Sequence, residues 1–338
     1  MIVDDSLTVR TVFSRMVEGD GTLQVSGTAS NAEQAIRMLR TMTVDVILLD
    51  LEMPGMGGLQ ALPGILETGG EAQVLVVSSL TVDGAEHTLA ALSMGAADTM
   101  LKPQPGGFDD EYRNILLTKI KALGGVDGAA IAKPVQSRPH LIGKRAQVIA
   151  IGASTGGIHA LNIMLRAIPK EFDLPILVTQ HLPASFMPVF ARQLEMASAR
   201  QTHVAGQGTV VRNGEILIAS GDGHMVFARH GDELITKVSK VPAPSGCLPS
   251  VDPMFESLAD VCKGHVLGVV LSGMGSDGLI GSRYLIERGG TVLAQDAETS
   301  AVWGMPGSVA KANLASAILP PEGLAEKIAM YAGVPACN

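Results

Sequence analysis

Early in the chain, apolar runs of strand length stop on polar residues that can do chemistry. Met1–Val3 runs into Asp4 and Asp5, Val46–Leu49 into Asp50, Val74–Val77 into Ser78, and Thr99–Leu101 into Lys102. Between them lie segments of helical spacing, such as Ala32, Ala35, Ile36 and Leu39, or Leu89, Leu92 and Met94. Short apolar runs alternating with amphipathic helices predict a parallel sheet covered on both faces. Five strands are expected within residues 1–123, at Met1–Val3, Leu23–Val25, Val44–Leu49, Val74–Val77 and Thr99–Leu101, with five helices. Ligands of such open sheets gather beyond the carboxyl ends of the strands, so Asp4, Asp5, Asp50, Ser78 and Lys102 are expected to converge.

Close carboxylates repel unless a cation joins them. A hard divalent ion such as Mg²⁺ suits oxygen ligands and an incoming phosphoryl group. Asp50 could then attack as a carboxylate nucleophile, with Lys102 offsetting phosphoryl charge and the Ser78 hydroxyl following the phosphoryl group. Taken singly, a strand-end aspartate more often starts a turn or caps a helix. The ordered set is what points to phosphorylation.

The texture changes over residues 124–145, where Gly-Gly, Asp-Gly, Lys-Pro and Arg-Pro replace any sustained period, as in an interdomain linker. A second α/β pattern fills residues 146–338. Strands are expected at Val148–Ile151, Ile176–Thr179, Val266–Leu271 and Thr291–Ala294. Shorter strands at Glu215–Ala219, Met225–Ala228 and Glu233–Lys237 are expected in a hairpin-rich insertion. Helices are expected over Ile158–Ala167, Met187–Ser198, Pro253–Cys262, Gly278–Arg288 and Leu324–Ala332.

Composition narrows the function classes. Of 338 residues, 46% are hydrophobic and 17% charged, enough for packed cores in two domains. The net charge of −8 comes without a basic stripe, which disfavours nucleic-acid binding. No signal-like or span-length apolar run is visible, so a cytoplasmic protein without membrane insertion is expected. Cys247, Cys262 and Cys337 lack metal-type spacing and fit reduced thiols in a reducing compartment.

The second pattern opens with Val148-Ile149-Ala150-Ile151-Gly152-Ala153-Ser154-Thr155-Gly156-Gly157. Gly152, Ser154 and Gly156 fit the G-x-S-x-G spacing that lifts a serine out on a tight strand–helix turn, beside free helix amides. Neither a Walker-type phosphate loop nor a dinucleotide fingerprint matches, so a nucleotide-binding switch is disfavoured. His181 ends the next strand and would emerge at the same edge. Asp277 follows the buried-type run Val269-Val270-Leu271 through a small-residue loop, where its alternative role is to cap the next helix. The three make a serine–base–acid set, with Ser154 attacking, His181 taking its proton and Asp277 supporting the imidazolium. Their chain order, Ser–His–Asp, differs from the Ser–Asp–His of α/β-hydrolases.

These segments carry a family resemblance. Val3-Asp4-Asp5-Ser6, Leu49-Asp50-Leu51-Glu52-Met53-Pro54, Ser78-Ser79-Leu80-Thr81 and Lys102-Pro103-Gln104 resemble response-regulator receivers, the last two most closely those of chemotaxis methylesterases. Ile151–Gly157, Thr179-Gln180-His181-Leu182-Pro183, Pro249-Ser250-Val251-Asp252 and Leu271–Gly278 resemble signature segments of CheB-type protein-glutamate methylesterases, and Ala219–Met225 resembles a further one, structural or near the substrate groove. The resemblance implies a flavodoxin-like (βα)₅ receiver followed by a doubly wound, mostly parallel α/β catalytic domain. It implies Asp50 as phosphoacceptor, Mg²⁺ held by Asp4, Asp5, Asp50 and the Glu52 backbone carbonyl, and an oxyanion contribution from the Met274 amide. The esterase reaction itself would need no cofactor.

The implied activity is phosphorylation-activated hydrolysis of glutamate methyl esters on methyl-accepting chemotaxis receptors, with deamidation of specific receptor glutamines. The phosphodonor would be a chemotaxis histidine kinase, the protein a monomer, and the unphosphorylated receiver a cover over the catalytic cleft. The alternative is a receiver-controlled docking protein with little turnover. Three departures from the family stand out. The first strand has only Met1–Val3 before the acids, which fits either a late start or a short, weakly held strand; Gly57 stands where an acidic residue is usual; and Cys247-Leu248 stands where basic residues often occur.

Overall fold

The computed structural model describes residues 1–78, 81–103, 107–125 and 145–332. Ser79, Leu80, Gln104, Cys337 and nearly all of the expected linker lie outside the described residues. The chain forms two compact units, Met1–Ala129 and Ala130–Asn338.

The first unit contains β1 (Ile2–Val3), α1 (Leu7–Glu18), β2 (Thr28–Ala29), α2 (Ala32–Leu39), β3 (Val46–Asp50) and α3 (Gly58–Gly69). It continues through β4 (Gln73–Ser78), α4 (Val82–Met94), β5 (Asp98–Leu101) and α5 (Asp110–Leu123). The sheet order is β2-β1-β3-β4-β5, and every pairing is parallel. All five residues of β3 are buried, as a strand sandwiched between helix layers requires. Ile47, Leu49, Leu62, Ile65, Leu75, Leu89 and Leu116 fill that core. Helix starts follow their capping residues: Ser6 Oγ, Asn31 Oδ1 and Asp109 Oδ1 accept from the Val9, Gln34 and Tyr112 amides.

One expectation fails here. The second strand lies at Thr28–Ala29, not at Leu23–Val25. The β1–β2 ladder begins at Ile2↔Thr28, so residues 23–25 run ahead of the backbone they would pair with.

The second unit starts with β6 (Val148–Ala153), α6 (Gly157–Ala167), β7 (Ile176–Gln180), α7 (Met187–Ser198), β8 (Thr202–Val204) and β9 (Ile216–Ile218). The hairpin β10 (His224–His230) and β11 (Glu233–Ser239) follows, then α8 (Val251–Val261), β12 (Val266–Val270) and α9 (Leu279–Glu287). Last come β13 (Thr291–Gln295), α10 (Met305–Lys311), β14 (Ala317–Leu319) and α11 (Pro321–Ala332). The seven-stranded sheet runs β14-β13-β12-β6-β7-β9-β8, parallel throughout. Order reverses on either side of β6, which places a switch point at the carboxyl end of that strand. No described helix is long and apolar enough to cross a membrane.

Glu215–Ala219 was expected in a hairpin insertion. Its core, β9, instead pairs in parallel with β7 and β8, and only β10 and β11 form the antiparallel hairpin. Ile216–Ile218 is wholly buried, and the main sheet offers the two covered faces such a run needs. The edge strands β8 and β14 and the seven-residue α10 have no counterpart among the sequence expectations. They are too short to show a period, and β14 is only half-buried along its length.

Candidate active site

The serine turn is built by close packing. β6 ends at Ala153, and α6 begins at Gly157 after Gly156, whose φ of +75° is left-handed. A Cβ on Gly156 would lie 2.6 Å from Ala301 Cβ and 2.7 Å from Ser272 Oγ, so only glycine fits there. Ser154 sits half-buried on this turn, its amide donating to Ser272 O at 3.0 Å and its carbonyl accepting from Gln180 Nε2 at 3.0 Å. The Met274 loop presses on it from β12: a Cβ on Gly273 would lie 2.8 Å from Ser154 Cβ.

The neighbouring strand β7 delivers the imidazole. The His181 amide donates to Ala153 O at 3.1 Å, which holds residue 181 beside the serine turn. Its Nε2 lies 2.8 Å from Asp277 Oδ2. Thus three residues drawn from three strand ends gather at one rim of the sheet. A hydrogen bond between Ser154 Oγ and the imidazole is not formed among the described residues; such contacts often tighten only when substrate binds.

Asp277 is 1% exposed yet well supplied with donors. Its Oδ1 accepts from Ser250 Oγ at 2.6 Å and its Oδ2 from the Val251 amide at 2.8 Å. Asp277 does not cap the helix that follows it, α9, whose cap is Gly278. Its carboxylate sits at the N-terminus of α8, where free amides and the helix dipole favour negative charge. Burial would raise its carboxyl, but the bonds from His181, Ser250 and Val251 outweigh this and hold it below the usual carboxylate range. Burial pushes the neighbouring Asp252 up to about 7, and the charge at Asp277 adds to the rise against the Gly281 amide that opposes it. For His181, burial favours the neutral ring, but hydrogen bonding and charge at Asp277 and Cys247 raise it to about 9.

Three residues here had no role assigned from sequence. Ser250 anchors the acid. His224 is buried and locks the loop behind it, accepting from the Ser250 amide at 2.9 Å through Nδ1 and donating to Val241 O at 2.9 Å through Nε2. Cys247, half-buried on that loop, reaches the imidazole. Position in the quoted segments was the only signal for Ser250 and His224.

In the first unit the expected residues also meet. Asp50 is 2% exposed at the end of β3. Lys102 Nζ lies 2.8 Å from Asp50 Oδ2 and 2.9 Å from Asp4 Oδ2. Carboxylate oxygens of Asp4, Asp5 and Asp50 fall within 4.8 Å of one another. The Glu52 amide donates to Asp50 Oδ1 at 3.1 Å. Burial raises the Asp50 carboxyl, opposed by Lys102 and the Glu52 amide. Ser78 Oγ is fully buried with no hydrogen-bond partner among the described residues. A hard-oxygen cluster, a bridging ammonium and an unsatisfied hydroxyl fit Mg²⁺ and a phosphoryl group.

A phosphorylation-type acidic pocket and a strand-end Ser–His–Asp set in one chain define a receiver-linked hydrolase class. Comparison with known proteins agrees: a response regulator receiver domain matches residues 1–107, and a CheB methylesterase domain residues 149–328. The chain is 40% identical to a protein-glutamate methylesterase/protein-glutamine glutaminase of Rhodospirillum rubrum, over 96% of this chain and 92% of that one. It is also 40% identical to one from Caulobacter vibrioides, over 98% of both chains. The Thermotoga maritima CheB methylesterase catalytic domain superposes with a TM-score of 0.53 at 34% identity, covering 54% of this chain and 97% of that one. The chain belongs to the CheB family of receiver-linked protein-glutamate methylesterases.

Proposed function

We propose that this chain is a phosphorylation-activated esterase that hydrolyses glutamate methyl esters on chemoreceptors and deamidates specific receptor glutamines. The observation that carries the reading is the 2.8 Å His181–Asp277 pair, held beside the serine turn by the Ala153–His181 backbone bond. Ser154 Oγ attacks the ester carbonyl while the second ring nitrogen of His181 takes its proton. Asp277, kept ionised by Ser250 and α8, stabilises the imidazolium. The Met274 amide, on the loop packed against Ser154, faces the developing oxyanion. His181 returns the proton to the departing methoxide, releasing methanol, and water then hydrolyses the acyl-serine by the same relay. Glutamine follows the same course with ammonia leaving.

Control enters at Asp50, the phosphoacceptor in this reading. Bound Mg²⁺, held by Asp4, Asp5, Asp50 and the Glu52 carbonyl, would neutralise charge around the phosphoryl group. Lys102 pairs with the phosphoryl oxygens, and the unpartnered Ser78 hydroxyl donates to one of them. A chemotaxis histidine kinase is the donor and methylated receptors are the substrate. Methanol release from methylated receptor, with and without acetyl phosphate, tests the reading. Release that is absent in Ser154→Ala and faster with acetyl phosphate is expected. No release under either condition would leave the chain a docking protein.

A further inference from the structure

The loop between β11 and α8 brings Cys247 to the catalytic imidazole. Donor atoms of His181, Cys247 and Asp277 all lie within 4.8 Å of one another. We propose that these three side chains form an inhibitory site for Zn²⁺, in which metal binding and proton transfer exclude each other.

The donor set selects the ion. One imidazole nitrogen, one sulfur and one carboxylate oxygen suit a borderline cation, and zinc takes such sets with about four ligands at about 2.0–2.3 Å. Mg²⁺ and Ca²⁺ prefer oxygen alone, which the Asp4–Asp5–Asp50 cluster supplies in the other unit.

The site is also braced from behind. Ser250 Oγ and the Val251 amide orient the Asp277 carboxylate at 2.6 and 2.8 Å. His224 fixes the loop through the Ser250 amide, and the Cys247 amide donates to Ser245 Oγ at 3.3 Å. Such outer contacts hold ligands at the metal. Cys247 and His181 are both half-buried, so an ion can enter and a water can complete the coordination.

Binding displaces the thiol proton, and the imidazole proton where present, to solvent, with no change in oxidation state. The 2.8 Å His181–Asp277 bond gives way as both groups turn to the metal. As pH falls below the ordinary range of a displaced group, apparent affinity drops by roughly tenfold per unit for each such proton. Metal binding stands on the geometry of the three side chains; the inhibition rests on the esterase reading.

The test uses the full chain in excess Mg²⁺, which occupies the receiver carboxylates. Co²⁺ is the probe, because a cobalt–thiolate bond gives a near-ultraviolet charge-transfer band and tetrahedral coordination gives strong visible bands. One equivalent should produce both sets of bands, and Zn²⁺ should displace them. The charge-transfer band should vanish in Cys247→Ser and persist in Cys262→Ser. His181→Ala, with its fold checked by circular dichroism, should weaken binding at least tenfold. Zn²⁺ should suppress methanol release at least tenfold, with the midpoint of cobalt displacement and full recovery on chelation. A thiolate band that survives in Cys247→Ser, or none in the unmodified chain, overturns the site. Unimpaired methanol release from the zinc-loaded chain overturns the inhibition. Failure of the metal-free chain to release methanol would strike at the esterase reading instead, since the cobalt bands need no turnover.

Discussion

Ser250→Ala isolates what the buried acid contributes. Ser250 is fully buried, and its hydroxyl donates to Asp277 Oδ1 at 2.6 Å. A hydrogen bond to a charged group contributes about 1.5–3 kcal/mol, and alanine leaves that buried oxygen with only the long 3.5 Å bond from the Asp252 amide. Asp277 keeps the Val251 amide and His181, both at 2.8 Å, so the variant should fold. The imidazolium exists only once the serine proton has moved, so a weakened acid acts mainly on the transition state. If the whole loss falls there, kcat drops by about 10- to 150-fold, with little change in KM.

The same bond has a pH signature. The folded state holds Asp277 below its ordinary value, so its contribution to stability is present above the unfolded carboxyl value, near 3.8, and is lost as pH falls through the lower folded value. Ser250→Ala should therefore unfold more easily than the parent at neutral pH. The difference should close in acid, where Asp277 is protonated in both proteins. Methanol release and thermal unfolding across pH measure the two effects. A kcat within twofold of the parent, with a stability difference independent of pH, would refute the assignment of Asp277 as a charge held by Ser250.

Three further outcomes follow from the same geometry. In chelator-treated protein, Cys247→Ala should move the acid limb of kcat/KM towards lower pH and raise the rate at neutral pH. It removes one of the two groups that raise His181 to about 9; an unmoved limb would contradict that coupling. Gly273→Ala places a Cβ 2.8 Å from Ser154 Cβ and against Met305 Sδ, so kcat should fall, with an overpacking cost of about 1–3 kcal/mol in thermal unfolding. Asp50→Asn should abolish the stimulation of methanol release by acetyl phosphate; a retained response would place the phosphoacceptor elsewhere.

The two sites were legible to different depths, for a physical reason. Residues at the ends of buried strands announce themselves, because an apolar run that stops on Asp50, Ser78 or His181 marks both the strand and the edge it serves. The core strands and longer helices of the second unit were readable the same way. Edge strands such as β14, half-buried and three residues long, carry no such contrast. Nor does Leu23–Val25 reveal that its intended partner backbone begins further along.

Electrostatic control of the acid was the least legible part, because it is assembled across the chain. Nothing local to Asp277 says that its charge is held at the start of α8. That helix is presented by a loop pinned by His224, 26 residues before Ser250. Nor does it say that Asp252, just inside the same helix, is pushed up by burial while His181, Ser250 and the Val251 amide hold Asp277 down. Strand-end geometry determines which groups meet. Which of them is charged depends on a neighbouring helix terminus and on the loop leading to it. Substitutions in residues 241–250 should therefore alter rate and pH dependence while the three reacting side chains remain in place.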